Sequence, residues 1–382
     1  MSSQRRTPGR PSGWLKWAAR LVVWPLLLFG WQTACAVEPF CLVTYNCAGN
    51  GIADWSTNSA QVRAIGRQMD YLRPDVITFQ EIPFTNAWQI PSFVRAFLPG
   101  HYYATNSGGD GYIRSVILSR YPITRSESWL NRSSLTSFGY NGVFTRDLFE
   151  AQISVPGFEQ PFHAFTTHLK SGTTTDDHER RAAEAAAISN FFVTVFLPTN
   201  AGHPYTLSGD LNESDTNQLS IQHLLSAPTG LWLTTPLNPV SASPYTYTIR
   251  GALTKRYDYV MPCGMLATNI RSGQVFRTDL LSPLPPPLLA TDDQTASDHL
   301  PVILCFANPF NSPFRLLSCD VSSQTVTLRW ESAAHRTYRV DAAADFTDWE
   351  PLASNIPSAG TDTTFTLNVT EAQRSFRIYR VP

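Results

Sequence analysis

Short apolar runs that stop abruptly at acids, amides and histidines are what most restrict the fold of this chain. Tyr205-Thr206-Leu207-Ser208 runs into Gly209-Asp210-Leu211-Asn212, and Asp75-Val76-Ile77-Thr78-Phe79 into Gln80-Glu81. Phe162 to Thr167 runs into His168, and Cys41-Leu42-Val43-Thr44-Tyr45 into Asn46. Apolar runs of this length read as buried strands. Glu81, following such a strand, is expected to be exposed at the strand's end, yet held on rigid backbone. Further strands are expected at 116–119, 148–153, 257–260 and 302–306. Val62, Ile65, Met69 and Leu72 have helical spacing and predict a helix over 58–72, closing before Arg73-Pro74. An Ala-rich stretch predicts another over 177–196. Strands mixed with helices through residue 306 imply a layered α/β domain.

Residues 307–313, Ala307-Asn308-Pro309-Phe310-Asn311-Ser312-Pro313, read as a linker. Beyond them the pattern holds strands only: alternating runs at 325–330, 337–340 and 364–369, and a last one at 376–381. Residues 314–382 are therefore expected to form a small β-sandwich, similar to fibronectin type III-like modules. Its ligand, if it has one, is not readable. No catalytic constellation lies within it.

Residues 1–36 read as a secretory signal peptide. They have a basic start, an apolar stretch from Leu21 to Phe29, and Ala34-Cys35-Ala36 as a cleavage site before Val37. The competing reading, a membrane anchor, suffers from Pro25 and from a stretch short of the ~20 residues a span needs. The expected location is secreted or periplasmic. The segment carries five of the 29 basic residues (Arg5, Arg6, Arg10, Lys16, Arg20) and no acid, so 24 remain against 30 acids, a charge near −6. Overall charge therefore does not draw in a polyanion. Export permits disulfides. Cys41, Cys47, Cys263, Cys305 and Cys319 are an odd number, so at least one is unpaired within the chain. Cys41 and Cys47 share one extended run and do not readily bridge; a pair among Cys41, Cys263 and Cys305 and a set of free buried thiols both remain open.

The polar signatures suit one chemistry. Hydrolysing a phosphate diester requires a water to be deprotonated and aimed, the non-bridging oxygens to be neutralised and the leaving oxygen to be stabilised. Asp210 and Asn212, two apart, are expected on one side of the chain, with Gly209 letting the backbone turn after the strand. Asp298-His299 follows, and a histidine is most useful when a carboxylate fixes its tautomer; Asp258 is the candidate. Each residue alone is explained as an ordinary satisfied polar group. Six such signatures in one order are not.

The set resembles the endonuclease/exonuclease/phosphatase superfamily, the fold of deoxyribonuclease I, over about residues 38–306 of the 37–306 domain. The resemblance implies an α/β fold, a four-layer α/β sandwich, here followed by the small all-β sandwich domain. It implies Asn46, Glu81 and Asp298 as metal-side residues, with Mg2+ as the cofactor and Mn2+ or Ca2+ as alternatives. It implies Asp210 as the residue activating water, Asn212 as its neighbour orienting phosphate, and His299 paired with Asp258 for proton transfer. His168 looks like the additional histidine of deoxyribonuclease I and sphingomyelinases, with Asp110 as a candidate partner. Arg146 resembles a contact to the substrate phosphate.

The expected function is a secreted, divalent-metal-dependent phosphoester hydrolase, a nuclease-like phosphodiesterase with nucleic acid as its phosphodiester substrate. The loop Gly108-Gly109-Asp110-Gly111-Tyr112 with Arg114 is a candidate groove contact. The main alternative is a phospholipid (sphingomyelinase-like) or small phosphoester hydrolase. For it, Trp129, Leu130, Leu135, Phe138 and Tyr140 are a candidate membrane hairpin, interrupted by Asn131 to Ser134. A second alternative is a non-catalytic secreted binding protein. The inositol phosphatase signature around Asp258 is absent.

Overall fold

The computed structural model of the protein describes residues 39–50, 54–310, 314–322, 325–332, 337–344, 348–368 and 375–381. The signal-peptide reading of residues 1–36 lies outside these, as does 311–313 of the expected linker. The first domain is built on β1 (Phe40–Asn46), β2 (Val76–Pro83), β3 (Tyr102–Thr105), β4 (Ile113–Ser119), β5 (Ile123–Trp129), β6 (Leu148–Ile153), β7 (Phe162–His168), β8 (Tyr205–Asp210), β9 (Asp258–Pro262), β10 (Ile270–Val275) and β11 (Val302–Phe306). They form a six-stranded sheet in the order β10-β11-β1-β2-β4-β3 and a five-stranded sheet in the order β5-β6-β7-β8-β9. Only β1–β2 and β7–β8 pair in parallel among these. Each parallel pair needs a crossover. Helices α1 (Ala60–Leu72) and α3 (Thr175–Phe191) supply them, and α2 (Ile90–Phe97) follows β2.

Strand alternation sorts the layers. In β1, Val43 and Tyr45 join Ile65, Met69 and Phe93 in the core beneath α1 and α2. Leu42 turns the other way, into the core shared with the second sheet. Phe165 of β7 packs edge-on against Phe191, Phe192 and Phe196 of the α3 segment. The result is helix, sheet, sheet, helix, the expected four-layer α/β sandwich. Toward the strand ends the space between the sheets turns polar. Thr78 Oγ1 lies 2.8 Å from Ser208 Oγ, and Gln80 Nε2 donates to Thr166 Oγ1 at 3.0 Å. Buried polar groups persist when they are bonded in this way, and these two links tie the sheets together below the strand tips.

Helix α1 ends where the sequence expects it: Arg73 takes a left-handed conformation, its N–H returns to the carbonyl of Met69, and Pro74 follows. Helix α3 starts two residues ahead of expectation. Thr174 caps it in a box with Asp177, and the helix then widens into a π turn over Phe192–Phe196. In this domain the strands absent from the sequence reading, β3, β5 and β10, all lie on sheet edges. Their side chains are largely solvent-facing, so no apolar alternation marks them.

Cys41 and Cys305 are register partners on β1 and β11 and are joined by a disulfide. Cys263 is a free buried thiol. After residue 313 come β12 (Leu316–Val321), β13 (Thr325–Glu331), β14 (Thr337–Ala343), β15 (Glu350–Pro357), β16 (Asp362–Asn368) and β17 (Ser375–Val381). They make two three-stranded sheets, β12-β13-β16 and β15-β14-β17, around Val326, Leu328, Trp330, Tyr338 and Val340. This is the expected small all-β domain. Arg380 of β17 donates to the carbonyl of Phe310, linking the module to the end of the first domain.

Candidate active site

The two parallel strand pairs end side by side, and the signature residues sit at those ends. Asn46 is the register partner of Gln80, next to Glu81. His168 is the partner of Asp210, which on its other side faces Asp258. Asp298 and His299 arrive from the segment before β11, where Ser297 Oγ donates to the carbonyl of Asn46 at 2.7 Å and accepts from the His299 N–H at 3.0 Å. Glu81, His168, Asp210, Asn212, Asp298 and His299 line one cleft of about 520 Å3. Asn46 and Asp258 touch it from behind. Eight of the nine residues singled out in the sequence therefore converge.

The backbone there is shaped for close approach. Glu81 sits at a bulge in the β2–β4 ladder with φ 57°, Asn212 has φ 52° and Ala48 φ 47°. Left-handed non-glycine residues gathered at one site are held there by their surroundings and mark functional regions. Gly209 departs from the expectation of a turn: it lies inside β8, paired with Thr167 and Tyr259. A Cβ on it would stand 2.0 Å from the Thr167 carbonyl oxygen, and its φ is 137°. Glycine is required because β7 passes too near. Asp210 and Asn212 share the cleft for a different reason from strand alternation. The chain leaves the strand after Asp210, and Asp210 Oδ1 accepts the Asn212 N–H at 2.8 Å. Gly209→Ala is expected to cost at least ~3 kcal/mol, since backbone must move to admit the methyl group and φ is strained as well. Denaturant unfolding measures this directly; a loss under about 1 kcal/mol, the size of an ordinary surface change, rejects the close-approach explanation.

Asp210 is the hub. Its Oδ2 accepts from Asn46 Nδ2 at 2.8 Å and lies 3.5 Å from His168 Nε2 and 3.7 Å from His299 Nε2. Burial pushes its carboxyl up to about 7; Asp258 adds to the rise and His299 opposes it. His299 Nδ1 lies 2.8 Å from Asp258 Oδ2. Burial disfavours the imidazolium, but Asp258 and Asp210 outweigh it and raise the group to about 10. His168 is different. Burial, Arg146 and His299 hold it well below the ordinary histidine range. The cleft thus contains one neutral and one charged imidazole on either side of a carboxylate.

Glu81, His168 and Asp210 place one ligand atom each within 4.8 Å of one another. Asn46 Nδ2 donates to both Glu81 Oε1 (3.1 Å) and Asp210 Oδ2, binding together two carboxylates that a cation could also bind. An oxygen-rich set with one neutral imidazole fits a divalent metal. The expected metal-side set of Asn46, Glu81 and Asp298 overlaps this cluster in Glu81. Asn46 reaches it by hydrogen bonds, and Asp298 lines the same cleft outside it.

Arg146 does not line the cleft. Its Nη1 donates to the carbonyls of His168 (3.1 Å) and Leu169 (3.0 Å), and its Nε lies 3.1 Å from Asp110 Oδ2. Asp110 therefore partners Arg146 and not His168, whose Nδ1 is buried without a partner. The segment weighed as a membrane hairpin for the lipid alternative is packed into the fold. Leu135 is fully buried, and Trp129 packs 4.9 Å from Phe191 while donating to Glu150 Oε2. Tyr247, Arg250 and Tyr257 also line the cleft. Tyr247 stacks on Tyr257 at 5.1 Å and leans on His299 at 4.8 Å. Tyr247 and Arg250 were missed because residues 231–257 form an irregular segment with no periodicity to read.

The profile of the Endonuclease/Exonuclease/phosphatase family matches residues 43–299. No curated protein matches the chain. Among solved structures, the human Nocturnin catalytic domain with bound sulfate is similar at 16% identity and TM-score 0.52, over 70% of this chain and 94% of that one. The endonuclease/exonuclease/phosphatase from Bacteroides vulgatus is similar at 18% identity and TM-score 0.51, over 70% of this chain and 98% of that one. At these identities the likeness is one of fold.

Proposed function

Because the chain belongs to the Endonuclease/Exonuclease/phosphatase family, a family of phosphoester hydrolases, we propose that it is a divalent-metal-dependent phosphodiesterase of the nuclease type, exported from the cell. The observation that carries this reading is the placement of Asp210 between two imidazoles and beside Glu81 in a single cleft. Asp210, ionising near neutrality, takes a proton from the attacking water. Asn212 and Asn46 fix its carboxylate. His299, held cationic by Asp258, donates to a phosphate oxygen or to the leaving group. His168, neutral, donates a ring N–H to a phosphate oxygen or, in the other tautomer, would be a ligand of the metal. Glu81, with Asp210 and His168 beside it, would hold Mg2+ or Mn2+, which when bound neutralises phosphate charge. The disulfide between Cys41 and Cys305 supports an oxidising compartment and so the exported location. Leu135 is buried and Trp129 packs on Phe191, so the segment weighed for membrane contact is part of the core, which favours nucleic acid over lipid.

The test is incubation of the purified protein with supercoiled plasmid, and separately with sphingomyelin liposomes, in Mg2+ or Mn2+ with an EDTA control. Nicking that EDTA abolishes is the expected result. Liposome turnover without nicking would replace the nuclease reading with the lipid one. Inertness toward both by folded protein would move the reading to small phosphoesters, with nucleotides tested next, and only inertness there too would favour the binding-protein alternative.

A further inference from the structure

The positive side chains near the cleft are nearly all spoken for. Arg146 is bound to Asp110 and two carbonyls. Buried Arg181 donates to the carbonyls of Lys170 and Gly172 and pairs with Glu213. Lys170 pairs with Asp177 at 2.7 Å. Arg250 differs from these: it is exposed, it lines the cleft, and among the described residues no carboxylate pairs with it. It is not loosely placed. Its Nε donates to the Gln294 carbonyl at 2.8 Å, and the N–H of its neighbour Ile249 donates to the Asp298 carbonyl at 2.8 Å. The guanidinium is thereby anchored by one edge on the wall that carries His299. Its two terminal nitrogens remain free to donate, the paired arrangement that suits phosphate oxygens.

We propose that Arg250 binds a second phosphate of the substrate, one linkage away from the phosphate attacked at Asp210. The cleft then selects esters with consecutive phosphodiesters, that is, nucleic-acid strands. A lipid headgroup with a single phosphate and a quaternary ammonium offers nothing to this guanidinium and is repelled by it. The inference rests on the phosphodiesterase reading and narrows its substrate class. A chain near −6 overall, once residues 1–36 are set aside, needs such a local cation to hold a polyanion in register.

Calorimetric titration with thymidine 3′,5′-bisphosphate and with thymidine 5′-phosphate tests the subsite without requiring turnover. The unaltered protein is expected to prefer the bisphosphate by about tenfold, a difference of about 1.4 kcal/mol. Arg250→Gln is expected to bind the two alike, and Arg250→Lys to keep part of the preference, because a point charge replaces a fork. Thermal melting confirms that both variants fold. A preference that survives in Arg250→Gln overturns the proposal, and so does its absence from the unaltered protein. Should plasmid and liposomes both go unhydrolysed while the preference appears and is lost with Arg250, the phosphodiesterase reading fails and the subsite stands.

Discussion

Asp210→Asn is expected to lower kcat/KM for plasmid nicking by about a thousandfold, within the range for removing a positioned base, in a protein that is no less stable. The two halves of that statement have separate physical origins. Asn is nearly isosteric and keeps one acceptor for the Asn46 amide or the Asn212 N–H, but it cannot take a proton from water. The stability half follows from linkage. Burial raises the folded-state carboxyl to about 7, above its unfolded value. The stability this group contributes is therefore full below the unfolded value and is lost as pH rises through about 7. Removing the charge removes that loss, so in EDTA above pH 7 the variant should melt at or above the temperature of the unaltered protein. The same shift predicts that metal-free activity, where measurable, rises through about pH 7; a bound cation moves this limb downward by favouring the anion. A variant retaining a tenth of the activity would show that another group activates the water.

Asp258→Asn is expected to cost about a hundredfold, again a general acid–base magnitude, and to displace the alkaline limb of the pH profile. His299 stands at about 10 because Asp258 and Asp210 outweigh its burial. With the raised value, its charge is present below that pH and lost above it, so activity in the unaltered protein should fall only near pH 10. Replacing Asp258 by a neutral amide removes the larger of the two supporting charges and the 2.8 Å bond that fixes the ring. The limb then moves toward the ordinary histidine range, near 6.5. The profile of kcat/KM against pH, with the histidine resonance followed by NMR, separates this from general damage. An alkaline limb that stays in place while the rate drops would assign the titration to a group other than His299.

What the sequence disclosed follows the line between strand ends and loops. Asn46, Glu81, His168, Asp210 and Asp258 sit where an apolar run stops or starts, so the pattern that marked each strand also marked its tip. The layering was legible because the buried strands β1, β2, β7, β8 and β11 read as short apolar runs. Edge strands β5 and β10 were not, since solvent on their faces leaves no alternation. Gly209 was noticed for its flexibility, while its purpose is proximity to Thr167, which only the pairing of β7 with β8 reveals. Arg146 was noticed for its charge, but whether a guanidinium faces substrate or backbone depends on neighbours far along the chain. Arg250, on an irregular segment, carried no signal at all.

The bond between Cys41 and Cys305 has a mechanical side. It closes 264 residues of sequence separation into a ring that contains Asn46 at one end and His299 at the other. The C-terminal module hangs from that ring as a tail beginning just past Cys305. If the module grips a surface and the chain is pulled, the load reaching β11 passes through the sulfur bridge into β1 instead of prising apart the hydrogen bonds between them. A pull applied at both ends of the chain runs from one cysteine to the other and bypasses the cleft. The hydrolytic domain thus rides as a slack loop beside the line of tension, and atomic-force stretching should show it only after reduction.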